Sequence, residues 1–282
     1  MCQSLDNLVR KFVLSKGVEV IQAGSNYPKI DLGKFYNEIN EEMRLNTSKA
    51  SSVEFLTTRR FIKSCLENGN KIIDIGAGTG AYSIYFADKG YNVVAIEPVK
   101  KNLEVLKEKI LYKDNISAVM GNALDLSMCI SDSFDVVLCL GPLYHLRNFE
   151  EQKKCIEESY RVCKNGGKIF FAFISNDMVI VNETLNLNLD FMFGRKCNNN
   201  TFKVTGDNFH FMTVDEMNAL LLNCGFNYSY RFAVEGLSEV FADKINEMTD
   251  LQFSKWLDYH YYSCQKDELI GYSNHIVYVV EK

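Results

Sequence analysis

Proline is scarce in this chain, with three positions among 282 residues, and tryptophan occurs once. With hydrophobic residues at 47 % and charged residues at 24 %, that composition excludes a disordered, collagen-like or low-complexity polymer. Positive charge is not in excess: Lys+Arg is 31 against Asp+Glu 36, a net charge of −5. An electrostatic nucleic-acid binder needs a cationic face, so nucleic acid is disfavoured as a partner. No apolar run reaches the roughly 18 residues of a membrane-spanning helix. The opening MCQSLDNLVRKFVLSKGVEV has no basic segment followed by an apolar stretch and a small-residue cleavage site, so it does not read as a signal peptide. None of the nine cysteines is paired at the two-residue spacing common in zinc sites, and no metal is expected. An odd number of thiols, several in apolar runs as Cys139 is, points to a reducing, cytoplasmic setting.

What is present is a rhythm. The length fits one large domain, or one domain with an added cap. Apolar, β-branched runs at 71–76, 91–97, 116–122, 134–141, 166–174, 227–236 and 274–281 read as strands. Between them lie helical patterns: 81–90 closing on Gly90, 99–113 with Val99, Leu103, Leu106 and Ile110 on one face, and 149–164. Such alternation predicts a parallel sheet covered on both faces. Three stretches fall outside it. Residues 1–57 read as a mostly helical segment, opening with an amphipathic helix through Leu5, Leu8, Val9, Phe12 and Val13. Insertions at about 175–212 and 237–265 interrupt the core of 58–282. Thr213 with Glu216, and Thr249 with Gln252, have the spacing of capping boxes that open helices.

The chemical signal is Asp74-Ile75-Gly76-Ala77-Gly78-Thr79-Gly80, between a strand and a helix. Glycines turn the backbone tightly and let it approach a ligand, and the helix N-terminus beyond offers unpaired N–H groups. Gly76, Gly78 and Ala81 also satisfy the dinucleotide fingerprint, and Glu97 ends the second strand where an acid holds ribose hydroxyls in either case. Asp74 separates the two: a carboxylate two residues before the first glycine suits a cationic ligand better than a pyrophosphate.

The DxGxGxG string resembles motif I of class I S-adenosylmethionine (SAM)-dependent methyltransferases. VVAIEP (93–98), GNAL (121–124), SFDVVLCLGPLYHL (133–146), NGGKIFFAF (165–173) and FMTVDEMNALLLNCGF (211–226) are similar to the later motifs in order and spacing. The resemblance covers about residues 70–235. It implies an α/β, Rossmann-like, seven-stranded, mostly parallel sheet with helices on both faces and its last strand antiparallel, under a helical lid. It also implies SAM as cofactor, S-adenosyl-L-homocysteine as product, and a small-molecule O, N, S or C acceptor methylated by in-line displacement.

On that basis Asp74, Gly76, Ala77, Gly78, Gly80, Glu97, Pro98, Asn122, Ala123 and Leu140 are expected to hold the cofactor. Glu97 would bond both ribose hydroxyls, and Asn122 the adenine edge. Arg44 is expected to fork onto the cofactor carboxylate, with a surface pair to Glu41 as its ordinary alternative. Tyr36 is a weaker candidate for the same lid. Tyr144 and His145 follow the fourth strand and are the catalytic candidates, His145 as a base and Tyr144 as a substrate contact; both could equally shape the wall. His210 and His260 read as structural, and Arg59-Arg60 as a solvated helix face. An RNA or protein methyltransferase on the same core, a non-catalytic SAM-binding module and an NAD(P)-linked oxidoreductase remain alternatives. A monomer or homodimer fits the chain.

Overall fold

The computed structural model describes residues 31–38, 45 and 47–282. Arg44, Glu41 and the amphipathic segment expected near the N-terminus lie outside the described residues. Seven strands form a sheet in the order β3-β2-β1-β4-β5-β8-β7. They are β1 (Lys71–Ile75), β2 (Asn92–Glu97), β3 (Ile116–Met120), β4 (Phe134–Cys139), β5 (Cys163–Ser175), β7 (Tyr228–Ala233) and β8 (His275–Glu281). Strands β3 to β5 pair in parallel, and β8 runs antiparallel to both β5 and β7. A two-residue strand, β6 (Phe211–Met212), pairs with the end of β5 and had no signal in the sequence.

The near-continuous apolar strands follow from burial on both faces. Successive side chains alternate: Ile73, Val137, Phe171 and Tyr278 enter one core, and Ile72, Val136, Phe170 and Val277 the other. On the first face lie α5 (Phe149–Val162) and α7 (Val214–Asn223), which contribute Cys155, Ile156, Met217 and Leu220. On the second lie α2 (Lys49–Ser64), α3 (Ala81–Asp88) and α4 (Lys100–Lys109), through Ile62, Phe86 and Leu106.

The remaining elements cluster at the carboxyl ends of the strands. They are α1 (Leu32–Glu38), α6 (Asn176–Asn182), α8 (Ala242–Glu247) and α9 (Asp250–Ser263). A third cluster, with Tyr144, Ile174, Val179, Phe191, Val204 and Phe211, holds the first insertion on the core. Asn176 ties that insertion together: its Nδ2 donates to the Phe202 carbonyl at 2.9 Å and its Oδ1 accepts from Val204 N at 2.9 Å. Both expected capping boxes are formed.

Three details differ from the sequence reading. Strand β5 starts at Cys163 rather than at residue 166. The pairing shifts from Phe134–Cys163 to Val136–Lys168, so the glycines lie in a bulge within the strand. Helix α2 runs unbroken through residue 57, and Ile62 near its end is wholly buried. Arg59 and Arg60 are not a merely solvated pair. The Arg59 guanidinium lies 5.0 Å from the Tyr85 ring centre and that of Arg60 lies 4.6 Å from Tyr261, because planar guanidinium groups pack on aromatic faces.

Candidate active site

The sheet order reverses between β1 and β4, and a crevice opens outside the carboxyl ends of strands at such a point. Here it is a cavity of about 690 Å³, within the range of about 300–1,000 Å³ usual for small-ligand sites.

The glycine loop forms its floor. Gly76, Gly78 and Gly80 all have positive φ, at 76°, 57° and 89°. A Cβ on Gly80 would lie 2.3 Å from Leu106 Cδ1, and one on Gly76 3.2 Å from the Pro142 ring, so side chains are excluded by both conformation and space. The N–H groups of Gly76 and Ala77 donate to the Ile96 carbonyl at 2.8 and 3.0 Å, pinning the loop to β2.

Two carboxylates face the loop. Asp74 and Glu97 are each 3 % exposed. Asp74 accepts from Ser83 Oγ at 2.6 Å, and burial raises its pKa to about 6 against the lowering effect of that bond. Glu97 accepts from Gly78 N and Val99 N, both at 2.8 Å, with Asn102 beside it. Burial nonetheless raises its pKa to about 7. A ligand carrying positive charge or hydroxyl donors would relieve both.

The second wall is built by Pro98, by Asn122 and Ala123 after β3, and by Leu140 after β4. Asn122 Oδ1 already accepts from Leu124 N at 2.8 Å, which leaves its carbonyl one further lone pair. The segment beyond is braced by α5. Glu158 accepts from Leu126 N at 2.8 Å, and Arg161 donates both to Glu158 and to the Leu126 carbonyl. The Arg161 bonds hold the Glu158 pKa down at about 2.

At the far end, Pro142–His145 form a 3₁₀ turn. Asn208 offers His145 Nδ1 a carbonyl oxygen at 3.1 Å, so Nδ1 carries the proton. Nε2 then accepts from the Tyr36 hydroxyl at 2.9 Å. Burial lowers the His145 pKa to about 4, so its ring is neutral at neutral pH. Tyr144 is 7 % exposed, and its ring meets those of His145 and Phe209 edge-on, at 5.0 and 5.9 Å between centres.

Every expected site residue except Arg44 therefore lines this one cavity: Asp74, Gly76, Ala77, Gly78, Gly80, Glu97, Pro98, Asn122, Ala123, Leu140, Tyr144 and His145. His260 has the structural role expected, since its Nε2 bonds the Val234 carbonyl at 2.9 Å. Sequence reading missed Glu54, Phe55, Tyr82 and Asn102, which also line the cavity. Asn102 had a local signal, being one turn into the helix after Glu97; Glu54 had none, because its helix lies outside the strand–helix alternation.

The donor set fits SAM: two buried acids and a glycine cradle a Cβ would fill. Residues 73–171 match the sequence family described as a methyltransferase domain. The glycine/sarcosine N-methyltransferase of Aphanothece halophytica is 26 % identical over 163 residues, covering 57 % of this chain and 60 % of that protein. The demethylmenaquinone methyltransferase of Clavibacter sepedonicus is 36 % identical over 111 residues, covering 39 % of this chain and 44 % of that one. The chain thus spans less than two thirds of these relatives' length. Among solved structures, a SAM-dependent methyltransferase from Methanosarcina mazei superposes with a TM-score of 0.51 at 18 % identity, covering 79 % of this chain and 96 % of that one. PH0226 from Pyrococcus horikoshii superposes with a TM-score of 0.57 at 15 % identity, covering 88 % and 98 %. At such identities these two likenesses speak for the fold, which is the Rossmann-like methyltransferase fold. The family match falls on the motif-bearing core, which carries the glycine loop and the strands β1, β2, β3 and β4. Among the described residues no helix is long and apolar enough to cross a membrane.

Proposed function

We propose that this protein transfers the methyl group of SAM to a small-molecule acceptor. The observation that carries the reading is the single cavity with the buried Asp74–Glu97 pair at one end and the Tyr144–His145 turn at the other. Bound SAM supplies an electrophilic methyl on a sulfonium that is already a good leaving group, so the protein's work is alignment and exclusion of water. Asp74 meets the cofactor's positive charge and Glu97 its ribose hydroxyls. Asn122 and Ala123 read the adenine edge, with Pro98 and Leu140 packed beside it. Helix α1 covers the far end, where Lys101 Nζ donates to the Tyr36 carbonyl at 3.1 Å and so links α1 to α4. For a hydroxyl or ammonium acceptor, His145 is the base, acting through the Tyr36 hydroxyl that its Nε2 already holds.

A small acceptor is supported by the net charge of −5 and by the two relatives, whose names refer to glycine, sarcosine and demethylmenaquinone. Eight described cysteines are all free thiols, which supports a cytoplasmic setting. Calorimetric titration with S-adenosylhomocysteine tests the cofactor; absence of binding, or binding of NADH instead, overturns the reading. His145→Ala should lower turnover with little change in SAM affinity, and wild-type turnover would remove His145 from the chemistry.

A further inference from the structure

A second cavity of about 380 Å³ adjoins the first and shares Tyr36, Glu54 and Tyr144 with it. Its walls come from the additions to the core: Phe35 from α1, Phe209 from the first insertion, and Glu239 from the second. The core contributes Glu235 and His275, at the ends of strands that otherwise serve only the sheet. Phe35 and Phe209 meet edge-on at 5.2 Å, so this side of the chamber presents aromatic surface.

The opposite side is acidic. Glu235 is 4 % exposed. One of its oxygens accepts from Ser273 Oγ at 3.0 Å and from His275 N at 2.9 Å, and the other bonds His275 Nδ1. Glu54 Oε2 lies 3.8 Å from the same His275 nitrogen. Burial, together with the charges of Glu235 and Glu54, raises the Glu239 pKa to about 7. Among the described residues no lysine or arginine lines the chamber. The buried carboxylate of Glu235 and that of Glu239, with aromatic rings opposite, form a surface complementary to a cation with an apolar body.

We propose that this second cavity is the methyl-acceptor chamber and that it selects small molecules bearing an organic ammonium group. The inference rests on the methyltransferase reading above. The ammonium seats beside Glu235 and Glu239, the body lies against Phe35 and Phe209, and the acceptor's reactive end reaches the first cavity where Tyr36 and Tyr144 divide the two. A divalent metal ion fits less well. Glu235 has both oxygens engaged by donors, and the chamber far exceeds one ion, since a single water occupies only about 30 Å³.

The test uses the full chain saturated with S-adenosylhomocysteine and titrates phenethylamine, phenethyl alcohol and hydrocinnamate by calorimetry. The amine should bind roughly tenfold more tightly than the alcohol, with the carboxylate weakest. Glu239→Gln and, separately, Phe209→Leu should each weaken the amine several-fold while the S-adenosylhomocysteine dissociation constant stays within about twofold of wild type, which also verifies folding. Equal binding of amine and alcohol, amine affinity unchanged in both variants, or displacement of the amine by manganese ion would each overturn the chamber. Failure to bind S-adenosylhomocysteine would instead remove the cofactor reading, and the acceptor assignment with it.

Discussion

The two cavities are built in different ways. The first is centred on the ends of β1, β2, β3 and β4 and the turns that follow them, which supply Asp74, the glycine loop, Glu97, Asn122 and Leu140. The second is assembled from α1, α2, both insertions and the start of β8, and its acids are far apart in the chain at Glu54, Glu235 and Glu239. The first is fixed by backbone: three positive-φ glycines and two carboxylates held by main-chain N–H groups and Ser83. The second is fixed by side chains, through the Glu235–His275 pair and the Phe35–Phe209 contact. Common chemistry on the cofactor side and particular chemistry on the acceptor side follow from that division, because a wall of side chains is easily altered while a strand-end loop is not.

The contrast breaks most severely at Gly80. A Cβ there meets Leu106 Cδ1 at 2.3 Å with φ at +89°. Gly80→Ala should cost about 2–4 kcal/mol from the left-handed backbone and the overpacking combined, read as a fall in denaturation midpoint and lost cofactor binding. Glu97→Ala should weaken S-adenosylhomocysteine by ~1–3 kcal/mol through lost charged hydrogen bonds. Calorimetry should then show phenethylamine affinity changing far less than cofactor affinity; equal losses would mean that the two cavities do not act separately.

Acidification sharpens the description of the first cavity, because its acids and its histidine titrate in opposite senses. Asp74 and Glu97 have pKa values raised to about 6 and about 7, so in the ligand-free protein they lose stability as pH rises toward 7. His145, at the far end of the same cavity, and His210, whose N–H donates to the Tyr144 carbonyl, are lowered by burial to about 4. Their stability is present above the unfolded value of 6.5 and is lost as pH falls toward 4. In the ligand-free protein the two effects oppose each other. A cationic cofactor favours the ionised acids and leaves the histidine effect exposed. Thermal denaturation should therefore show the cofactor-loaded protein losing more stability than the free one between about pH 6.5 and about pH 4.5. Equal losses would contradict the assignment of the acids to a cationic ligand. The smallest effect is expected from Tyr36→Phe, which removes the bond to His145 Nε2. It should cost about 1 kcal/mol or less in stability, while turnover, if Tyr36 relays the proton, falls much more.

The cofactor side was legible because its signals are local. Asp74, the glycines and Glu97 announce themselves by position next to strands whose apolar runs are themselves clear, and all of them meet in the cavity where expected. The glycine pair at 166–167 hid the true start of β5, because a bulge within a strand and a turn before it favour the same residue. No sequence pattern tells which aromatic residues of the insertions face inward: Phe191 packs into the third cluster at 9 % exposure, whereas Phe193 is 81 % exposed. His275 sits in a strand pattern, NHIVYVVE, where an imidazole at the first position carries no periodic signal at all.

The sequence by itself determined the doubly covered parallel sheet, the SAM-type glycine loop and the two carboxylates beside it, because strand periodicity, positive-φ glycines and strand-end acids are properties of consecutive residues. Only the tertiary structure decided that Tyr36 bonds His145, that Glu54 joins Glu235 and His275, and that a second chamber opens behind Tyr144. Those contacts join residues tens to hundreds of positions apart, and their geometry is set by how the helices and insertions pack over the strand ends.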